Sequence, residues 1–152
     1  MKVGHVLKQK GTSCFSASEN QLLTEAAEVM SEKRVGSLVV MEGEAIKSIV
    51  TERDLMLAVA NFKGEISSIK VADVMAKLLI TCDAEDTLDR VMDLMINNET
   101  GKRIRHLPVL EDGKLLGVIS ISDVVEALLT KTEFENKLLK GYIKNWPDAE
   151  AM

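Results

Sequence analysis

Apolar residues recur at helical spacing in ENQLLTEAAEVMSEK (19–33), where acidic residues also sit near the start. Two short β-prone runs follow, SLVVM (37–41) and IKSIV (46–50), parted by the polar EGEA (42–45). Helical spacing then returns in RDLMLAVANF (53–62). The same succession comes round again as DTLDRVMDLMINN (86–98), HLPVL (106–110), EDGK (111–114), LLGVI (115–119) and SDVVEALLTK (122–131). The pattern predicts helix, strand, hairpin, strand, helix, with Asp112-Gly113 the stronger of the two turn signals. A short first strand is expected before each helix, around CFS (14–16) and LIT (79–81).

The succession is a duplication at residue level. Lys33-Arg34-Val35 returns as Lys102-Arg103-Ile104, a shift of 69 (33 to 102). At that shift Leu38 meets Leu107, Val40 meets Val109, Thr51 meets Ser120, Asp54 meets Asp123 and Ala58 meets Ala127. Upstream the shift falls to 65 (30 to 95), pairing EAAEVM (25–30) with RVMDLM (90–95). The second copy therefore carries a short insertion near NNETG (97–101), which reads as a loop. A similar segment precedes each copy, KVGHVLK (2–8) and KVADVMA (70–76). One copy is too small to bury both faces of its sheet, so the two are expected to pack together.

Composition narrows the function classes. Only 3% of the 152 residues are aromatic, so the core must rest on aliphatic residues and methionine. The eight methionines lie mostly on apolar helix stripes, as at Met30, Met92 and Met95, where core packing explains them. A formal charge of −5 argues against general binding to nucleic acid or an anionic membrane. No apolar stretch approaches the ~20 residues that span a bilayer, and a cytoplasmic location is expected. Cys14 and Cys82 lack CxxC spacing, so neither a disulfide framework nor a zinc motif is expected.

The chemistry concentrates at two strand-to-helix junctions. Val50-Thr51-Glu52-Arg53-Asp54 and Ile119-Ser120-Ile121-Ser122-Asp123 share an apolar residue, a hydroxyl and, three positions later, an aspartate. One reading is a capping box, worth about 1 kcal/mol of stability and implying no function. The other is a ligand corner. A carboxylate accepts hydrogen bonds from both hydroxyls of a ribose, and a helix N-terminus favours a nearby phosphate.

On these residues the chain resembles the cystathionine β-synthase-type (CBS) domain family. IRHLPVLEDGKLLGVISISDVVEAL (104–128) is similar to the C-terminal part of such a domain almost position for position, and VGSLVVMEGEAIKSIVTERDLMLAV (35–59) is similar, with Ser48 in place of the glycine seen at Gly117. KVADVM resembles the lead-in to a second copy. The resemblance covers about residues 2–130 and implies an α/β fold of two pseudo-symmetric CBS units, each β-α-β-β-α, packed through their sheets into a Bateman module. The units would span 1–65 and 66–131, followed by a helical tail at 132–152. Such modules hold AMP, ADP, ATP, NAD(H) or S-adenosylmethionine in two clefts, some of which stay empty.

Carried over by position, Asp54 and Asp123 would bind ribose hydroxyls, with Thr51 and Ser120 beside them. Val35, Val50, Ile104 and Ile119 would flank the adenine. Arg105 and His106 stand where nucleotide-binding members keep basic residues for phosphate, whereas the first copy has Gly36 and Ser37 there. This inequality predicts one dominant site, at the second corner, where Gly117 would allow close backbone approach. Lys102 and Arg103 read equally well as a solvated loop, and His5 has no ligand-spaced partner.

The expected function is a regulatory, ligand-sensing module that is not an enzyme. Neither a phosphate-binding loop, GxSxG, HExxH nor a Cys–His pair with a plausible partner is present, and no metal is required. The alternative is an unliganded pair that acts as a protein-interaction module. A homodimer and a regulated protein partner are the expected associations. In the tail, Phe134, Leu138, Leu139, Tyr142, Ile143 and Trp146 fall at roughly helical spacing, which suits an interface helix or one laid back over the module.

Overall fold

The computed structural model describes residues 1–144; within the last helix the side chains of 132–135, 137–138, 140 and 142–144 lie outside the description. The elements are α1 (Val3–Lys10), β1 (Ser16–Ala17), α2 (Leu23–Lys33), β2 (Ser37–Glu42), β3 (Ala45–Thr51), α3 (Glu52–Asn61), α4 (Val71–Val74), β4 (Cys82–Asp83), α5 (Leu88–Ile96), β5 (His106–Glu111), β6 (Lys114–Ser120) and α6 (Ile121–Lys144). They form two three-stranded sheets, ordered β1-β2-β3 and β4-β5-β6. In each, the short first strand runs parallel to the second, and the second and third form an antiparallel hairpin.

The two copies agree down to single hydrogen bonds. Ser37 pairs with Thr51 and His106 with Ser120, and each hairpin slips register at the same place, after Val40 and after Val109. The Val35 amide donates to the Met30 carbonyl at 3.0 Å, and the Ile104 amide to the Met95 carbonyl at 2.8 Å. Those pairs span five and nine residues, so the four extra residues of the second copy are looped out between helix and strand. Asn98 organises that loop, its side-chain amide donating to the Leu94 and Lys102 carbonyls. The turns differ as their residues require. Both Asp112 and Gly113 take positive φ, whereas in the first hairpin Gly43 does.

Each copy has its own core. Leu23, Ala26, Met30, Leu38, Val40, Val50 and Ala58 pack together in the first, and Leu88, Val91, Met95, Leu107, Val109, Ile119 and Val124 in the second. Side chains alternate across a strand, so Val39 and Ile49 lie on the opposite face of the first sheet from Leu38 and Val50. They too are buried, and β3 meets β6 where the units join.

The lead-in segments are exchanged. Val3, Val6 and Leu7 of α1 belong to the core of the second copy, and Val71 of α4 to that of the first. Matching backbone pairs fix the exchange: Val3 donates to the Asp86 carbonyl and Val71 to the Gln21 carbonyl, both at 2.9 Å. The lead-in helix before each copy thus completes the other copy's core.

Three elements differ from expectation. The first strands lie later than CFS and LIT, at Ser16–Ala17 and Cys82–Asp83. Apolar content alone misplaces them, because the buried members are Ala17 and Cys82. Burial, reinforced by Asp86 and Asp83, pushes the Cys82 thiol up to about 12, so it is an inert core group. The last helix, moreover, does not stop at 131. Leu129-Thr130-Lys131-Thr132 contains no Gly or Pro, so α6 runs on through Gly141 to Lys144. This excludes a separate tail helix folded back from residue 132. Phe134, Leu138, Tyr142 and Ile143 are on this helix but their side chains, like all of Trp146, lie outside the described residues. Leu139 is exposed.

Candidate functional site at two strand-to-helix corners

Both hydroxyl–aspartate pairs form capping boxes. The Thr51 amide donates to Asp54 Oδ2 at 2.8 Å, the Asp54 amide returns to Thr51 Oγ1 at 3.4 Å, and the Thr51 hydroxyl also reaches Asp54 Oδ2 at 3.1 Å. In the second corner the Ser120 amide donates to Asp123 Oδ2 at 2.8 Å and the Asp123 amide to Ser120 Oγ at 3.1 Å. The capping reading of the motif is therefore correct, and it leaves the ligand reading open. Every one of these carboxylate bonds ends on Oδ2, so the cap also holds each carboxylate in a fixed orientation, with Oδ1 uncommitted among the described residues.

The corners close onto the preceding strands through one more matched pair. The Glu52 amide donates to the Gly36 carbonyl at 3.0 Å, and the Ile121 amide to the Arg105 carbonyl at 2.8 Å. Gly36 and Arg105 are thus true equivalents, as the shift of 69 requires. Val35 and Ile104 are half-buried beside them. Val50 and Ile119 are fully buried in the two cores, so a ligand could meet only their backbone groups.

The second corner differs in charge. Lys10, at the end of α1, places its Nζ 2.5 Å from Asp123 Oδ2. The Asp123 side chain is only 16% exposed, so this ion pair is partly shielded from water. Burial would raise the Asp123 carboxyl, but the Lys10 ammonium and the amide and hydroxyl of Ser120 outweigh it and hold it below the usual 3.8. Sequence reasoning missed Lys10 because it lies outside the repeated corner. The signal was in the lead-in: Val3, Leu7 and Lys10 fall at i, i+4 and i+7 on one helix face. The first two are buried in the second copy's core, which carries the third to that copy's corner.

His106 lies between the copies. Its ring packs over Gly36, where a Cβ would come within 3.1 Å of Cε1 and Nε2 and within 3.3 Å of Glu52 Oε1. Glycine at position 36 is therefore the room that His106 occupies. The ring feels Glu52, Asp123, Lys10 and Arg105, but burial dominates and lowers its proton affinity below the usual 6.5. Arg105 is exposed. His106, read from sequence as serving the second corner, thus stands between Glu52 of the first and Asp123 of the second.

Gly117 has a different role from the expected one. A Cβ there would meet the Thr12 carbonyl at 3.2 Å and Leu7 at 3.4 Å, so the chain's own lead-in makes the close approach. Among the described residues no group of three His, Cys, Asp or Glu side chains could hold a metal ion, and no helix is long and apolar enough to cross a membrane.

The CBS domain model matches this chain twice, over residues 10–61 and 71–130. The chain belongs to the CBS domain family. The first match ends with α3 and the second within α6, so each includes its aspartate corner. A CBS domain-containing protein of Arabidopsis thaliana, CBSX3, mitochondrial, is 34% identical over 151 residues, covering 93% of this chain and 71% of the relative. The crystal structure of a CBS-domain containing protein from Agrobacterium tumefaciens is 35% identical, with a TM-score of 0.76 over 84% of this chain and 98% of that one. The crystal structure of CBSX2 in complex with AMP shares the fold, with a TM-score of 0.68 at 24% identity over 86% of this chain and 98% of that one.

Proposed function

We propose that this CBS pair is a regulatory module that binds an adenine nucleotide, and that the Asp123 corner is its principal site. The observation that carries the reading is the pair of capped aspartates, each held by its own strand-to-helix junction with one carboxylate oxygen uncommitted. Asp123 and Asp54 accept the ribose hydroxyls, Ser120 and Thr51 fix those carboxylates, and Ile104 and Val35 border the base. Arg105 and His106 supply donors for phosphate. The AMP carried by CBSX2 supports an adenosine ligand; AMP, ADP, ATP, NAD(H) and S-adenosylmethionine all contain that unit. Regulation follows if the ligand prefers one of two conformations of the module. The residues assigned above bind and orient, and no chemical step is assigned to them.

A thermal-shift screen against AMP, ADP, ATP, NAD, NADH and S-adenosylmethionine tests this. A ligand at about 100 times its dissociation constant should stabilise the module by ~2.7 kcal/mol. No shift with any of them would overturn the nucleotide reading.

One observation favours a second reading, a module that works through protein contacts. Met56 and Val59 on α3, and Val125 and Leu129 on α6, are exposed at 47–61%. Met56 and Val125 are repeat equivalents, and a groove of about 440 Å³ runs along Ile121, Val125 and Leu129. Exposed apolar stripes of this kind mark association surfaces, and a second copy of this chain is the partner we assign to them.

A further inference from the structure

Lys10 is a cation that the repeat does not duplicate. At the shift of 68 that relates the two lead-ins (2 to 70), its counterpart is Leu78. α4 ends at Val74, and Leu78 is exposed. The first corner therefore has an aspartate without this lysine, and the second has both.

The consequence for a ligand is electrostatic. Without Lys10 the surroundings of His106, between the two corners, would hold the Asp123 and Glu52 carboxylates against Arg105, since burial favours neutral His106. A phosphorylated ligand entering there would meet two negative charges. With Lys10 the fixed charges balance, and the ammonium, bonded to Oδ2, retains two N–H donors beside the carboxylate that takes the ribose. We infer that Lys10 is the specificity-determining residue of the second corner, selecting adenine nucleotides that carry phosphate over neutral adenosine and over ligands with a positive sulfonium. The inference rests on the nucleotide reading above and deepens it. It also makes the corners unequal in kind, because only the second discriminates by ligand charge.

Calorimetry on the full chain with AMP, adenosine and S-adenosylmethionine, for the wild type, Lys10→Met and Lys10→Arg, tests it. A charge-assisted hydrogen bond to phosphate corresponds to about ten- to a hundredfold in affinity. Lys10→Met should therefore lower the AMP-to-adenosine affinity ratio at least about tenfold, and Lys10→Arg should restore it. In the wild type, raising salt should weaken AMP binding and leave adenosine binding nearly unchanged, a readout that needs no variant. A wild type that binds AMP and adenosine with equal salt dependence, or a Lys10→Met chain that keeps the wild-type ratio, would overturn the role of Lys10 while the nucleotide reading stands. A wild type that binds none of the three would overturn both.

Discussion

The hydroxyl of Ser48 donates a 2.6 Å hydrogen bond to the carbonyl of Ala76. It ties β3 to the chain just after α4, and the Ala76 amide answers by donating to the Ile49 carbonyl at 3.0 Å. Ser48 is 1% exposed, the one buried polar residue among those described. Its repeat equivalent is Gly117, over which the Thr12 carbonyl passes instead. The departure from the family's glycine is thus a structural anchor for the exchanged lead-in. Ser48→Ala keeps the space filled but leaves a carbonyl without its donor. It should cost about 1–2 kcal/mol in urea unfolding, with ligand affinity unaltered. A stability equal to wild type would show the bond to be dispensable.

The two aspartates serve stability and binding together, and the effects separate by measurement. Asp54→Ala and Asp123→Ala each leave the N-cap amide of a capping box without its acceptor, so each should cost about 1 kcal/mol of unfolding free energy. Binding should divide them: Asp123→Ala should abolish most nucleotide affinity and Asp54→Ala should do much less. Thr51→Ala and Ser120→Ala should weaken the caps with a smaller effect on binding. Equal losses of affinity from the two aspartate changes, or two calorimetric sites of equal strength, would overturn the ranking of the corners.

Much of this was legible in the chain because a duplication reports its own register. The changing shift, 65 upstream and 69 downstream, foretold the loop around Asn98, and the hairpins and their flanking helices follow from apolar spacing. What stayed hidden depends on contacts across copies. Nothing local distinguishes Lys10 from any other lysine until Val3 and Leu7 are seated in the second core. Gly36 reads as a missing phosphate contact, and only packing reveals it as the space for His106. Continuous helix beyond Thr130 was hidden for another reason, since the end of the repeat invites a boundary that no helix-breaking residue marks.

The exposed stripes on α3 and α6 predict association. Met56→Glu and Val125→Glu each place a charge among apolar side chains that a second copy would cover, and desolvating it would oppose assembly. In sedimentation the wild type should run as a dimer at micromolar concentration, and the double variant as a monomer with unchanged unfolding behaviour. A wild type that is strictly monomeric there would overturn the homodimer and leave the fold untouched.

Stability should fall with acid in two separate windows. Folded His106 holds its proton less tightly than the ordinary 6.5, chiefly because it is buried; Lys10 and Arg105 add to this, while Glu52 and Asp123 oppose it. The unfolded chain therefore takes up that proton first. Its contribution is at its most favourable above about pH 6.5, declines as pH drops towards the lowered folded value, and is flat below it. Asp123 acts in the same sense at lower pH, because its folded carboxyl titrates below 3.8. Its contribution is complete above about pH 3.8 and is lost as pH falls through the folded value. Urea unfolding from pH 7.5 to 3 separates the two. His106→Asn should remove part of the slope below pH 6.5 and leave the acid limb. Lys10→Met should shrink the acid limb, because burial then acts on Asp123 without its counter-ion. An unchanged slope in His106→Asn, or an unchanged acid limb in Lys10→Met, would overturn the corresponding assignment.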